Sequence, residues 1–197
     1  MKTLIIDNNI DRPWSLCPDF RRYLEGTVEV RRAPQGDLPS KVEGYSHIII
    51  TGSKTSTLDS SPWITQLMAF VSQAIESGIP TLGICYGHQI IAKIFGGQSV
   101  VRASRTPEIG WVEIRQTKPN PVLEGLPTRF YTFESHVEEV VHAPKGFVAT
   151  AESERCAIQA YYAKGKPVFG VQFHPEKNAE EGQASIQRRF AEAALKG

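Results

Sequence analysis

Cysteine is scarce in this sequence: Cys17, Cys85 and Cys156 stand far apart in 197 residues, with no C-x-x-C pair. A disulfide framework or a structural zinc site needs paired thiols, so neither is expected. Excess charge is missing as well, since 22 Lys and Arg against 21 Asp and Glu leave a formal +1. Without a broad field to draw in polyanions, neither nucleic acid nor a membrane surface is an expected partner. Long apolar runs are absent too. The stretch His47-Ile48-Ile49-Ile50 falls far short of the roughly 18 residues that cross a bilayer. Only Leu4, Ile5 and Ile6 separate Lys2 and Thr3 from Asp7, too few for the apolar centre of an export signal, and a cytoplasmic chain is the expectation. There is no repeat, low-complexity tract or linker. A composition of 41% apolar and 22% charged residues is that of a globule, and residues 1–197 read as one domain.

What is present is a pattern that changes halfway. Residues 2–6, 27–31, 47–51 and 81–84 are short β-rich runs, the third almost unbroken in β-branched residues, which suits a strand buried on both faces. Between them lie helical segments. A short one over 19–25 stops at Gly26. A longer one opens at Ser61-Pro62 and carries Ile64, Leu67, Met68, Val71 and Ile75 on one face. A third covers 87–95, with Ile90, Ile91 and Ile94. This alternation predicts parallel strands with helical crossovers. After Gly97 the segments 98–102, 111–116, 129–133, 147–151, 157–161 and 168–173 are strand-like with turns between them, which predicts antiparallel pairing. A helix over 180–195, with Ile186, Phe190, Ala193 and Ala194 on one side, closes the chain. The expected fold is α/β: a mostly parallel central sheet flanked by helices, with an antiparallel strand extension in the second half.

Two motifs carry chemistry. In Gly83-Ile84-Cys85-Tyr86-Gly87 a cysteine sits where a buried strand turns into a helix, with glycine two positions to either side. Such an elbow holds a nucleophile in a strained turn, and the glycines let neighbouring segments approach. The helix N-terminus beneath Cys85 favours a thiolate. The bland reading is a buried cysteine between packing glycines. Far downstream comes Gly170-Val171-Gln172-Phe173-His174-Pro175-Glu176. Pro175 biases His174 toward extended backbone, where residues two apart point the same way, so His174 and Glu176 converge. Nucleophile, base and orienting carboxylate are then the three parts of a Cys-His-Glu triad.

Taken together, Gly-Ile-Cys-Tyr-Gly-His-Gln and Gly-Val-Gln-Phe-His-Pro-Glu make the chain resemble the class I (triad) glutamine amidotransferases, whose domain is flavodoxin-like. The segment Ser135-His136-Val137-Glu138-Glu139-Val140, with Pro144-Lys145-Gly146 after it, also resembles that family's Ser-His-x-Asp-Glu-Val before Pro-x-Gly. Within the family the nearest resemblance is to the free-standing glutaminase subunits of GMP synthases. The resemblance implies a single glutaminase domain. In it Cys85 attacks the side-chain amide of glutamine, His174 protonates the departing ammonia, Glu176 orients His174, and a γ-glutamyl thioester is hydrolysed. It implies an oxyanion site between the backbone N–H of Tyr86 and one from Gly52 or Ser53. It also implies glutamine contacts at Gln89, Ser135 and His136, although Gln89 could instead bond the backbone and His136 could be a packing residue. The ammonia would pass to an ATP-dependent synthetase partner, in a GMP synthase-type amination. No metal and no cofactor are implied.

The sequence departs from the pattern after the third strand. Thr51-Gly52-Ser53-Lys54-Thr55 stands where GMP synthases carry Gly-Gly-Pro, with Ser53 in place of a glycine. This stretch, with residues 59–64 behind it, is more similar to amidotransferase-like γ-glutamyl peptidases, so a stand-alone γ-glutamyl peptide hydrolase is the alternative. A non-catalytic binding module on the same fold is a third reading, which the intact triad disfavours. Gly52-Ser53-Lys54-Thr55 lacks the adjacent Gly-Lys of a phosphate loop, and Cys85 and His88 lack a second ligand pair for zinc. His47 and His142 are expected in packing or surface roles.

Overall fold

The computed structural model describes residues 1–10 and 20–194; Cys17, the first residue of the expected 19–25 helix and residue 195 lie outside them. Among the described residues nine strands form one sheet. β1 (Lys2–Asp7), β2 (Thr27–Arg32), β3 (His47–Ile50), β4 (Thr81–Ile84) and β9 (Val168–Val171) are parallel. β5 (Val101–Gln116), β6 (Arg129–Val140), β7 (Phe147–Glu152) and β8 (Ala160–Ala163) pair antiparallel. The order is β2-β1-β3-β4-β9-β8-β7-β5-β6. β9 is the seam, parallel to β4 on one side and antiparallel to β8 on the other. Parallel core and antiparallel extension are as the sequence pattern predicts, except that β9, expected among the antiparallel segments, runs parallel to β4 and completes the parallel core.

Among the described residues three α-helices frame this sheet: α1 (Pro62–Glu76), α2 (Tyr86–Gly96) and α3 (Ala179–Ala194). The strand period of two decides which face each side chain covers. Leu4, Ile6, Ile48 and Ile50 point to one side and pack with Ile64, Leu67, Val71 and Ile75 of α1 and Ile90 and Ile91 of α2. Ile5 and Ile49 point to the other and join Ile84, Val171 and Phe173. Both faces of β1 and β3 are covered, which explains why these strands read as unbroken apolar runs. Each such side chain contributes roughly 1.5–3 kcal/mol when fully buried.

Several elements differ from the sequence expectation. Of the expected strand 98–102, Gln98–Val100 instead form a 3-10 turn, while Val101 and Arg102 join residues 111–116 in one strand, β5, whose pairing with β6 is irregular between Ala103 and Glu108. The polar residues around that irregularity hide its continuity, because much of the stretch is solvent-exposed. β6 runs on past Phe133 to Val140. In α3 the inward side is set by Gly182, where a Cβ would press against Phe133 and Trp111. Ile186 is half-buried, whereas Phe190, expected on the inner side, is 73% exposed. Helical backbone near 19–25 has ended by Tyr23, whose N–H reaches Phe20 O at 3.0 Å.

Candidate active site

Parallel β3, β4 and β9 end on the same edge of the sheet, and their exits carry the residues of interest. Register places Ile50 beside Gly83 and Ile84 beside Val171. Cys85 follows β4 at once, and its N–H bonds Val171 O at 2.9 Å. Open α/β sheets bind ligands at this edge. β6 reaches the same place: Phe133 bridges to His174, whose N–H donates to Phe133 O at 2.8 Å.

Cys85 is the one non-glycine with positive φ among the described residues, at φ 51° and ψ −103°. L-residues avoid this conformation, so it persists only where surrounding structure enforces it. Enforcement comes from the flanking glycines. A Cβ on Gly83 would overlap the Gly87 carbonyl, and a Cβ on Gly87 would overlap the Ile50 carbonyl. The strand, the turn and the helix start are therefore in backbone contact, as the Gly-x-Cys-x-Gly spacing predicts.

His174 and Glu176 converge as expected: His174 Nδ1 lies 2.8 Å from Glu176 Oε1. Both residues are buried, at 7% and 1% exposure. Burial opposes a charge on His174, but the Glu176 carboxylate and the hydrogen-bonded Cys85 outweigh it and hold the imidazole well above its ordinary pKa. With Nδ1 committed to Glu176, Nε2 is left for the Cys85 contact. Arg22, which sequence reasoning did not single out, fastens this turn: its guanidinium donates to Glu176 O at 2.6 Å and pairs with Glu181 on α3 at 2.7 Å.

A cavity beside the cysteine is lined by Cys85, Tyr86, Gln89, Ser53, Ser135 and His136, among others. The residues expected around the substrate thus gather in one place. Gly52 lines the adjoining cavity past His174, with Lys177, Arg188 and Arg189. Neither Gly52 nor Ser53 has positive φ, so serine stands at its position without strain. Its hydroxyl donates to Asn8 O at 2.7 Å and accepts the Thr55 N–H at 3.0 Å. Asn8 in turn grips Thr51, donating from its backbone N–H to the hydroxyl at 3.1 Å and from Nδ2 to the carbonyl at 2.9 Å.

Two expected substrate contacts are already engaged. Gln89 Nε2 donates to Glu138 O at 2.8 Å and to Gln172 Oε1 at 3.0 Å. His136 Nδ1 lies 2.9 Å from Glu138 O and Nε2 lies 3.1 Å from Glu108 Oε2. Glu108 also accepts from Ser153 at 2.8 Å and from Gln159 at 2.8 Å. Glu108, His136 and Cys156 offer donor atoms within 4.8 Å of one another. The Glu108 oxygens and His136 ring nitrogens of that cluster are spent on hydrogen bonds, and burial pushes the Cys156 thiol up to about 12. His88, three residues past the nucleophile, is fully buried, stacked on Tyr161 with ring centroids 4.4 Å apart, and burial lowers it to about 3. His47 and His142 are not buried. Among the described residues no helix is long and apolar enough to cross a membrane.

With the geometry in hand, known proteins supply a comparison. The profile of the family described as glutamine amidotransferase class-I matches residues 4–194. A GMP synthase (glutamine-hydrolyzing) subunit from Thermococcus kodakarensis is 44% identical over 117 residues, and the match spans 59% of this chain and 61% of that one. Its counterpart in Thermoplasma volcanium is 32% identical over 190 residues, 96% of this chain and 90% of that one. A glutamine amidotransferase from Thermotoga maritima has the same fold, with TM-score 0.85 at 22% identity, covering 100% of this chain and 85% of that one.

Proposed function

The chain belongs to the glutamine amidotransferase class-I family, and from that premise we propose that it hydrolyses glutamine to glutamate and ammonia for a synthetase partner. The observation that carries this reading is the hydrogen-bonded chain Glu176–His174–Cys85, ending on a cysteine held at φ 51°. In the proposed mechanism Cys85 Sγ attacks the amide carbon of glutamine while its proton resides on His174 Nε2. The tetrahedral oxyanion is held by the N–H of Tyr86 and by an N–H of Ser53 or Gly52. His174 gives its proton to the departing nitrogen, and ammonia leaves a γ-glutamyl thioester on Cys85. Water then loses a proton to His174 and attacks the thioester, and the thiol returns. Glu176 keeps the imidazole in one tautomer and stabilises its charged form.

Gln89 and the Ser135–His136 backbone would shape the pocket for the amino-acid end of glutamine. The engaged ring nitrogens favour a packing role for His136 itself. GMP synthase-type amination is the proposed use of the ammonia, after the named activity of the relatives. The second reading, hydrolysis of γ-glutamyl peptides, draws on the cavity past His174, where a leaving amine larger than ammonia would meet Lys177, Arg188 and Arg189.

The test is kcat/KM of the purified chain for glutamine and for γ-glutamyl dipeptides, alone and with an ATP-loaded GMP synthetase partner. The proposed function predicts slow glutamine turnover that rises sharply with the partner. Fast peptide turnover by the chain alone, indifferent to the partner, would overturn ammonia delivery and leave the triad chemistry standing.

A further inference from the structure

The loop after β3 is held at two ends, and the second hold has no assigned purpose. At the near end the Ser53 hydroxyl is tied to Asn8. At the far end the Glu138 carboxylate, on β6, accepts the Thr57 N–H at 2.9 Å, the Thr57 hydroxyl at 2.6 Å and the Ser56 hydroxyl. The Ser56 oxygen passes the grip on by accepting the Leu58 N–H at 3.0 Å. From α2, Lys93 Nζ donates to Thr57 O at 2.5 Å. Glu138 also serves through its backbone, since its carbonyl accepts Gln89 Nε2 and faces His136 Nδ1. One residue thus joins the loop to the helix that begins behind the nucleophile and to the strand that lines the pocket.

We propose that Glu138 is a positioning residue that fixes the loop carrying the second oxyanion donor. The inference rests on the reading of that loop given above. Oxyanion donors accelerate a reaction only when they are aimed before charge develops, and a loop free to rotate a peptide plane loses that advantage. Ser53 secures the near end through Asn8 O and the Thr55 N–H, which leaves Ser56 and Thr57 to be held from the far end. The carboxylate supplies the opposite tether with three bonds, two of them to one residue. Those bonds are charge-assisted and buried, with Glu138 8% exposed, where such bonds are strongest. Glu138 borders the cavity beside Cys85, but its carboxylate is spent on Ser56 and Thr57, so it acts through residues 53–57.

The test compares Glu138→Gln, Glu138→Asp and Thr57→Val with wild type in the full chain. Three readouts are used: glutamine kcat and KM, thermal melting, and the rate at which iodoacetamide alkylates Cys85. Alkylation uses the thiol and its base but forms no oxyanion, so it reports the nucleophile without the loop. In Glu138→Gln an amide NH₂ faces hydroxyl and N–H donors, and kcat should fall at least about tenfold, with KM and alkylation within about twofold of wild type. Glu138→Asp should recover part of the loss, and Thr57→Val combined with Glu138→Gln should be no slower than Glu138→Gln alone. A folded Glu138→Gln with wild-type kcat, or one whose alkylation falls in step with kcat, overturns the proposal. If Glu138→Gln fails to fold, Thr57→Val and Ser56→Ala decide: lower kcat with normal alkylation supports it, and unchanged kcat overturns it. A wild-type chain that hydrolyses no glutamine sinks the proposed function as well, whereas an active one with an indifferent Glu138 sinks this inference alone.

Discussion

His174 Nδ1 sits 2.8 Å from Glu176 Oε1, across a single intervening proline, with both side chains out of solvent. That contact decides which ring nitrogen is left for Cys85. Replacing Glu176 by Gln keeps the shape and removes the charge, so the tautomer is no longer fixed and the imidazolium loses its stabiliser. The expected loss in kcat is about 10²–10⁴, smaller than for Cys85→Ala or His174→Ala. Steady-state kinetics on the three folded variants checks the ranking.

The same contact sets a pH limit. Burial lowers the basicity of His174, and Glu176 with Cys85 more than restores it. Without the Glu176 charge, burial gains weight, and the alkaline limb of the kcat/KM profile should move to lower pH in Glu176→Gln. A limb that stays in place would assign the titration to another group.

Acid stability should depend on His88. Burial lowers it to about 3 against an ordinary 6.5, so between those values the unfolded chain binds a proton that the folded chain does not. Stability from this group is complete above pH 6.5 and is lost as pH falls toward 3. The slope is at most about 1.4 kcal/mol per pH unit. His88→Gln should unfold more easily at neutral pH yet show a shallower decline over that window in urea titrations at a series of pH values.

Gly87 has no room for a side chain, since its Cβ would overlap the Ile50 carbonyl and crowd the Ile50 Cβ. Backbone cannot give way as a flexible side chain does. Gly87→Ala should cost at or beyond the upper end of the roughly 1–3 kcal/mol typical of overpacking. Loss of glutaminase activity should accompany it, because β3 and α2 would move apart under Cys85. Melting temperature and activity measured together check this.

Much of this was legible in the sequence because it rests on local rules. The Gly-x-Cys-x-Gly spacing foretold a backbone contact that only glycine permits, and His-Pro-Glu foretold two side chains on one side of an extended segment. The parallel half was readable from its buried β-branched runs. What escaped depends on distant partners. Arg22 is an unremarked cation until Glu176 and Glu181 arrive beside it. Glu138 was visible within the Ser-His segment, two residues from His136 and so on the same strand face, but its task appears only when Ser56 and Thr57 fold against it. Phe190 misled because the close approach at Gly182, not the apolar periodicity, sets how α3 rotates against β5.

The central claim is that Cys85 is the nucleophile, and active-site labelling tests it most directly. A chloroketone analogue of glutamine should add one equivalent, map to Cys85 by peptide mass spectrometry, and be slowed by glutamine. Cys156 is buried at 1% exposure, with its thiol pushed up to about 12, and should stay unmodified. A single glutamine-protected adduct on Cys85 is the predicted result. An adduct on Cys156 or Cys17 at a comparable rate, or labelling of Cys85 that glutamine does not slow, would contradict the account.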